Sequence, residues 1–74
     1  MKTLPETISE QIRWRRELLG LTRCQLGREL GYRDGTNVNY WESGRCMPGA
    51  YSLYDLANVF CCSVDDLMGR THDD

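Results

Sequence analysis

The sequence predicts a small all-α domain of five helices, and three observations carry that expectation. Apolar residues recur at spacings of three and four along most of the chain. No window of four or more residues alternates well enough to read as a strand. Capping residues and glycines punctuate the pattern at intervals that suit short helices. A chain of 74 residues is about half of one ordinary domain, so it holds a single small core. Its 41% hydrophobic and 27% charged residues are those of a globular chain, not a disordered one.

The first helix is expected over 8–19. Thr7-Ile-Ser-Glu10 forms a capping box, Ile8, Ile12, Arg15, Arg16 and Leu19 fall along one stripe, and Gly20 ends the run. Thr22 caps the second, 22–30, whose Leu26 and Leu30 lie four apart, with Gly31 at the position that tolerates positive φ. Tyr32-Arg33-Asp34-Gly35 has the composition of a turn, and Asp34 can cap the next helix. That third helix, 36–43, has Val38 and Trp41 as a narrow apolar face and is polar elsewhere, and Gly44 stops it. Pro48 precedes the fourth, 50–60, where Leu53, Leu56, Ala57 and Phe60 make a wide stripe. Ser63-Val-Asp-Asp66 opens the fifth, 64–68, which buries Val64, Leu67 and Met68. The expected organisation is an N-terminal arm over 1–7, one domain over 8–69 and a flexible acidic tail over 70–74.

Several function classes recede at this level. No apolar run approaches the ~18 residues of a membrane span, and Met1-Lys-Thr-Leu-Pro-Glu6 has no signal-peptide core, so a cytoplasmic protein is expected. Cys24, Cys46, Cys61 and Cys62 make no C-x-x-C, and the single histidine, His72, lies in the acidic tail. They are expected to be reduced, mostly buried thiols, with no metal or other cofactor. No nucleophile–base pair or phosphate loop is visible, so no enzyme is expected. The formal net charge of −2 by itself argues against nucleic acid. Its distribution says otherwise. Residues 1–33 hold one Lys and six Arg against four Glu, a balance of +3, and residues 34–74 hold two Arg against six Asp and one Glu, a balance of −5. Five of those acids, Asp55, Asp65, Asp66, Asp73 and Asp74, fall in the fourth and fifth helices and the tail.

Two short helices joined by a glycine-containing turn, the second polar on one side, have the layout of a DNA-binding helix-turn-helix. The likeness extends to motifs. Gly20-Leu-Thr, Leu26-Gly-Arg-Glu-Leu-Gly31, Trp41-Glu-Ser-Gly-Arg45, Pro48, Leu56-Ala57 and Ser63-Val-Asp-Asp-Leu67-Met-Gly69 occur in one order and spacing. In these the chain resembles the helix-turn-helix family of phage repressors, Cro and Xre regulators, from about Ile8 to Gly69. The resemblance implies a compact lambda-repressor-like domain that places its third helix in the DNA major groove.

On that resemblance the base contacts are expected from Gly35, Thr36, Asn37, Asn39 and Tyr40. Asn pairs bidentately with adenine, and a Thr methyl meets the thymine methyl. Phosphate contacts are expected from Arg23, Arg33, Ser43 and Arg45, with amides at the second helix N-terminus able to assist. Arg16 and Glu42 resemble the family's structural pair between the first helix and the end of the third. The chain also departs from the family. Tyr40 stands where Arg or Gln is common, which leaves guanine readout to Arg33 or Arg45. Arg23 replaces a usual Gln, and Gly27 replaces a usual Ala at the contact of the two motif helices, where glycine costs roughly 0.5–1 kcal/mol in a helix interior. The turn Tyr32–Gly35 is one residue longer than the commonest form.

The function expected is a sequence-specific transcriptional regulator, a repressor, acting as a homodimer on a palindromic double-stranded DNA operator, with no membrane and no small-molecule site. The competing expectations are a protein-interaction module on the same fold, such as an antitoxin or adaptor, and a redox or metal sensor built on the cysteines.

Overall fold

A computed structural model describes residues 2–69 and holds five helices among them: α1 (Leu4–Leu18), α2 (Arg23–Glu29), α3 (Thr36–Glu42), α4 (Ala50–Phe60) and α5 (Val64–Leu67). No strand occurs among the described residues. Helices α2 to α5 lie within a residue of their expected ranges. The tail expected over 70–74 lies outside the described residues.

Helix α1 corrects the expectation at both ends. Its N-cap is Thr3, not Thr7, in a reciprocal capping box with Glu6. The sequence carries two consecutive Thr-x-x-Glu boxes, Thr3–Glu6 and Thr7–Glu10, and Pro5 decides between them. Proline in a first turn has helical φ already and lacks an N–H that would go unpaired there, so residues 4–7 join the helix instead of forming an arm. Thr7 turns its hydroxyl back to the Thr3 carbonyl at 3.1 Å. At the other end the helix stops at Leu18, and Gly20 takes φ +71 to reverse the chain. Leu19 is therefore 51% exposed, off the apolar stripe, and Leu21 packs against the core in its place.

The core is built from the stripes. Ile8 and Ile12 from α1, Leu26 from α2, Val38 and Trp41 from α3, Leu56, Ala57 and Phe60 from α4, and Leu67 from α5 are all buried in one cluster. Helix α1 packs on α3, α4 and α5, and α2 packs on α3. Every helix is thus held by apolar burial, at about 25 cal/mol per Å² removed from water. Tyr32, between α2 and α3, sets its ring edge-on to Trp41 with centroids 6.0 Å apart, and its hydroxyl meets Ser52 Oγ at 3.1 Å. That pair pins the turn to α4.

The cysteines are free, but none is buried. Cys46 and Cys61 are exposed, and Cys24 and Cys62 are half-buried. Cys46 comes after the end of α3 in a surface loop, and Cys61 sits past the last apolar position of α4, so the expected burial fails for a reason of register. Burial raises the Cys62 thiol above its ordinary pKa. Cys61 adopts a left-handed φ of 55°, where the other helix ends use glycine. A side chain there costs roughly 1 kcal/mol. Cys61→Gly is expected to stabilise the fold by about 0.5 kcal/mol after the greater freedom of the unfolded glycine is subtracted; denaturant midpoints at unchanged m-value measure it, and a loss of stability contradicts it.

Candidate nucleic-acid interface

Helix α3 owes its position to two glycines and one carboxylate. A Cβ built on Gly27 would lie 2.0 Å from the Asp34 carbonyl oxygen, and one on Gly35 would lie 2.7 Å from the Arg23–Cys24 backbone. The extended turn is therefore folded down onto α2 with backbone against backbone. Gly27 is required there, and the cost it carries within a helix is the smaller effect. Gly35, expected among the base contacts, turns its α carbon toward α2 and acts as the N-cap residue of α3.

Gly35 offers no side-chain cap, and Asp34 supplies one from a residue earlier: its Oδ1 accepts from the Thr36 amide at 3.0 Å. That amide holds the Asp34 carboxyl below its ordinary value of 3.8. A group with a depressed folded pKa stabilises above its unfolded pKa and loses that contribution as pH falls through the folded one. Stability is expected to fall with pH below about 4, and Asp34→Asn, which keeps an acceptor but cannot titrate there, makes that limb shallower, while Glu6, held below its ordinary value by the Thr3 amide, keeps its own share. Denaturation midpoints measured from pH 5 down to 2.5 check this; an unchanged acid limb contradicts it.

At about 100° per residue, Thr36, Tyr40 and Ser43 form one stripe of α3, flanked by Asn37 and Asn39 and opposite buried Val38. Thr36, Asn39 and Ser43 are exposed, and Asn37 and Tyr40 are half-buried. The structure so brings the expected reading side chains to one outer face. The helix closes with Gly44 at φ +80, after which the Arg45 and Cys46 amides both donate to the Tyr40 carbonyl, at 3.0 and 3.3 Å. Ser43 Oγ donates to the same oxygen at 3.1 Å. The turn brings Arg45 back over the helix, its guanidinium carbon 5.3 Å from the centre of the Tyr40 ring. Arg33 is exposed in the turn before α3.

The far side of α3 ends in a charge cluster. Glu42, its side chain 2% exposed, accepts from Arg16 Nε at 2.6 Å and Nη2 at 3.1 Å, and from Arg23 Nε at 3.0 Å. Arg16, 10% exposed in its side chain, also donates to the Leu21 carbonyl at 2.8 Å. Hydrogen bonding to Glu42 raises the Arg16 pKa further. One carboxylate thereby joins α1, α2 and α3. Arg23, read from the sequence as a phosphate contact alone, is also a structural partner of Glu42. Ser9 adds a second tie, donating to the Trp41 carbonyl at 2.6 Å. Neither Ser9 nor Arg23 signals these roles in sequence, since their partners lie 32 and 19 residues away. The Gly27–Asp34 approach had a signal, the pairing of a longer turn with glycine in place of alanine.

A shallow open cleft lies beside this cluster, between the start of α1 and the end of α3, with Glu6 and Glu10 on its rim. Among the described residues no three His, Cys, Asp or Glu side chains come together to hold a metal ion. No described helix is long and apolar enough to cross a membrane.

No family model matches the chain, and no curated protein matches it in sequence. The fold does match. The P22 c2 repressor, solved in complex with a synthetic operator, superposes with a TM-score of 0.79 at 28% identity, over 86% of this chain and 96% of that one.

Proposed function

We infer that this chain belongs to the phage-repressor family of helix-turn-helix proteins and is a sequence-specific DNA-binding repressor, laying α3 in the major groove of double-stranded operator DNA. The observation that carries this is the polar outer face of α3, on a fold shared along most of both chains with a repressor solved on its operator. Thr36, Asn37 and Asn39 meet base edges, Asn to adenine and the Thr methyl to thymine, and Tyr40 lies on the same face. Arg33, Ser43 and the outer edge of Arg23 meet phosphates and set the register. Arg16 and Glu42 hold α3 at its docking angle without touching DNA.

The protein acts in the cytoplasm by occupancy rather than by catalysis, as a homodimer on a two-fold site with half-sites about one helical turn apart. Asp55 on α4 and Asp65 and Asp66 on α5 place acids on elements other than the reading helix, and the basic first half of the chain orients the approach to the duplex. Fluorescence anisotropy on a selected duplex and on random DNA, at several salt concentrations, tests the reading. The expected result is a preference of roughly 10³-fold or more, and a log–log salt slope near −0.9 per neutralised phosphate. Equal binding to both duplexes with no salt dependence overturns it.

A further inference from the structure

Tyr40 leaves this chain without a forked side chain at the position where Arg or Gln commonly reads a base. The structure supplies a fork from elsewhere. Gly44 reverses the chain after α3, the Arg45 amide is fixed to the Tyr40 carbonyl at 3.0 Å, and the Arg45 guanidinium carbon stands 5.3 Å from the Tyr40 ring centre. Tyr40 lies on the α3 stripe of Thr36 and Ser43, so a guanidinium over its ring is carried beside the reading face. At that distance the cation is within reach of the ring's electron-rich face, and the ring accepts no proton from its N–H donors in a fork, so they stay available to match the O6 and N7 acceptors of guanine in the major groove.

We propose that Tyr40 and Arg45 form one composite guanine reader, in which the Tyr40 ring is the platform and Arg45 is the specificity-determining fork. Arg45 then contacts a base rather than the phosphate that its place after α3 suggests, and Tyr40 acts as a positioning residue through it. The backbone bond from Arg45 to Tyr40 and the ring together limit the rotamers of an exposed arginine, so less freedom is lost when the fork meets its base. The proposal rests on the DNA-binding reading of α3 given above.

The test is in vitro selection with the full chain, then competition binding on duplexes in which each guanine of the selected half-site is replaced by adenine. The wild-type half-site is expected to contain a guanine whose replacement weakens binding by about tenfold or more. Arg45→Lys, which keeps the charge, is expected to lose most of that discrimination while still binding. Tyr40→Phe retains it, and Tyr40→Leu loses it as Arg45→Lys does. Circular dichroism melts establish that each variant is folded, and Arg45→Lys, a change at an exposed position, keeps the test valid should Tyr40→Leu unfold. A selected half-site without guanine overturns the proposal. So does an Arg45→Ala that weakens binding equally on all sequences and lowers the salt slope by about one phosphate, the signature of a backbone contact. In both cases the chain still selects a sequence, and the reading of α3 stands; failure to select any sequence removes that reading itself.

Discussion

Gly27→Ala is expected to destabilise the protein by about 3 kcal/mol or more, the reverse of what helix propensity dictates for that substitution. The added methyl would sit 2.0 Å from the Asp34 carbonyl oxygen. The atom in its way is backbone in a turn that Tyr32 pins to Trp41 and to Ser52. Relief requires the whole Tyr32–Gly35 turn to lift from α2, and α3 to move with it. A domain of this size has a total stability of only about 4–11 kcal/mol, so the loss is large enough to leave much of the chain unfolded at 37 °C. Arg28→Ala, at an exposed position of the same helix, is the control, with a change within about 0.5 kcal/mol. Urea denaturation of both variants provides the comparison, and a Gly27→Ala protein as stable as the wild type contradicts the close approach.

Glu42→Gln and Glu42→Ala are expected to cost about 3 kcal/mol each, because either leaves the buried Arg16 charge with only the exposed Glu17 carboxylate, 3.8 Å from its Nη2. The magnitude needs little discount for solvent screening, since the carboxylate is 2% exposed and the Arg16 side chain 10%. The Arg23 arm, 42% exposed, contributes less, and Arg23→Ala is worth at most about 1 kcal/mol of stability. Replacing both members of the buried pair, Arg16→Met with Glu42→Leu, is expected to recover much of the loss, short of the unpaired Leu21 carbonyl it leaves behind. A double variant no better than Glu42→Ala contradicts the account of a stranded charge. The recovered protein is expected to bind DNA more weakly than its stability warrants, since apolar packing does not fix the angle of α3 as a bidentate pair does.

Helix positions were legible because each stripe and cap is local. Thr22 with Gln25 and Ser63 with Asp66 form their caps three residues apart, and the stripes of α2, α3 and α4 lie within single helices. The start of α1 is ambiguous in sequence where two Thr-x-x-Glu boxes follow one another, and Pro5 carries the deciding signal. Leu19 illustrates the limit of periodicity: it keeps the spacing of the stripe one residue beyond the point where the helix turns away. In the candidate site, the outer face of α3 is set by Val38 and Trp41 facing inward. The ties that join that face to the rest of the molecule cannot be read from sequence, because Arg23 to Glu42 and Ser9 to Trp41 are closures across different helices. The orientation of Arg45 depends on a glycine turn and a ring, neither of which fixes it alone.

In vitro selection from random duplexes measures whether the outward side chains of α3 choose a DNA sequence. The wild-type chain is expected to enrich one motif, two-fold symmetric, with half-sites about one helical turn apart. A folded variant carrying Asn37→Ala and Asn39→Ala is expected to lose the adenines of that motif while retaining salt-dependent, sequence-independent binding. No enriched motif from the wild type, or the same motif from the variant, would contradict it.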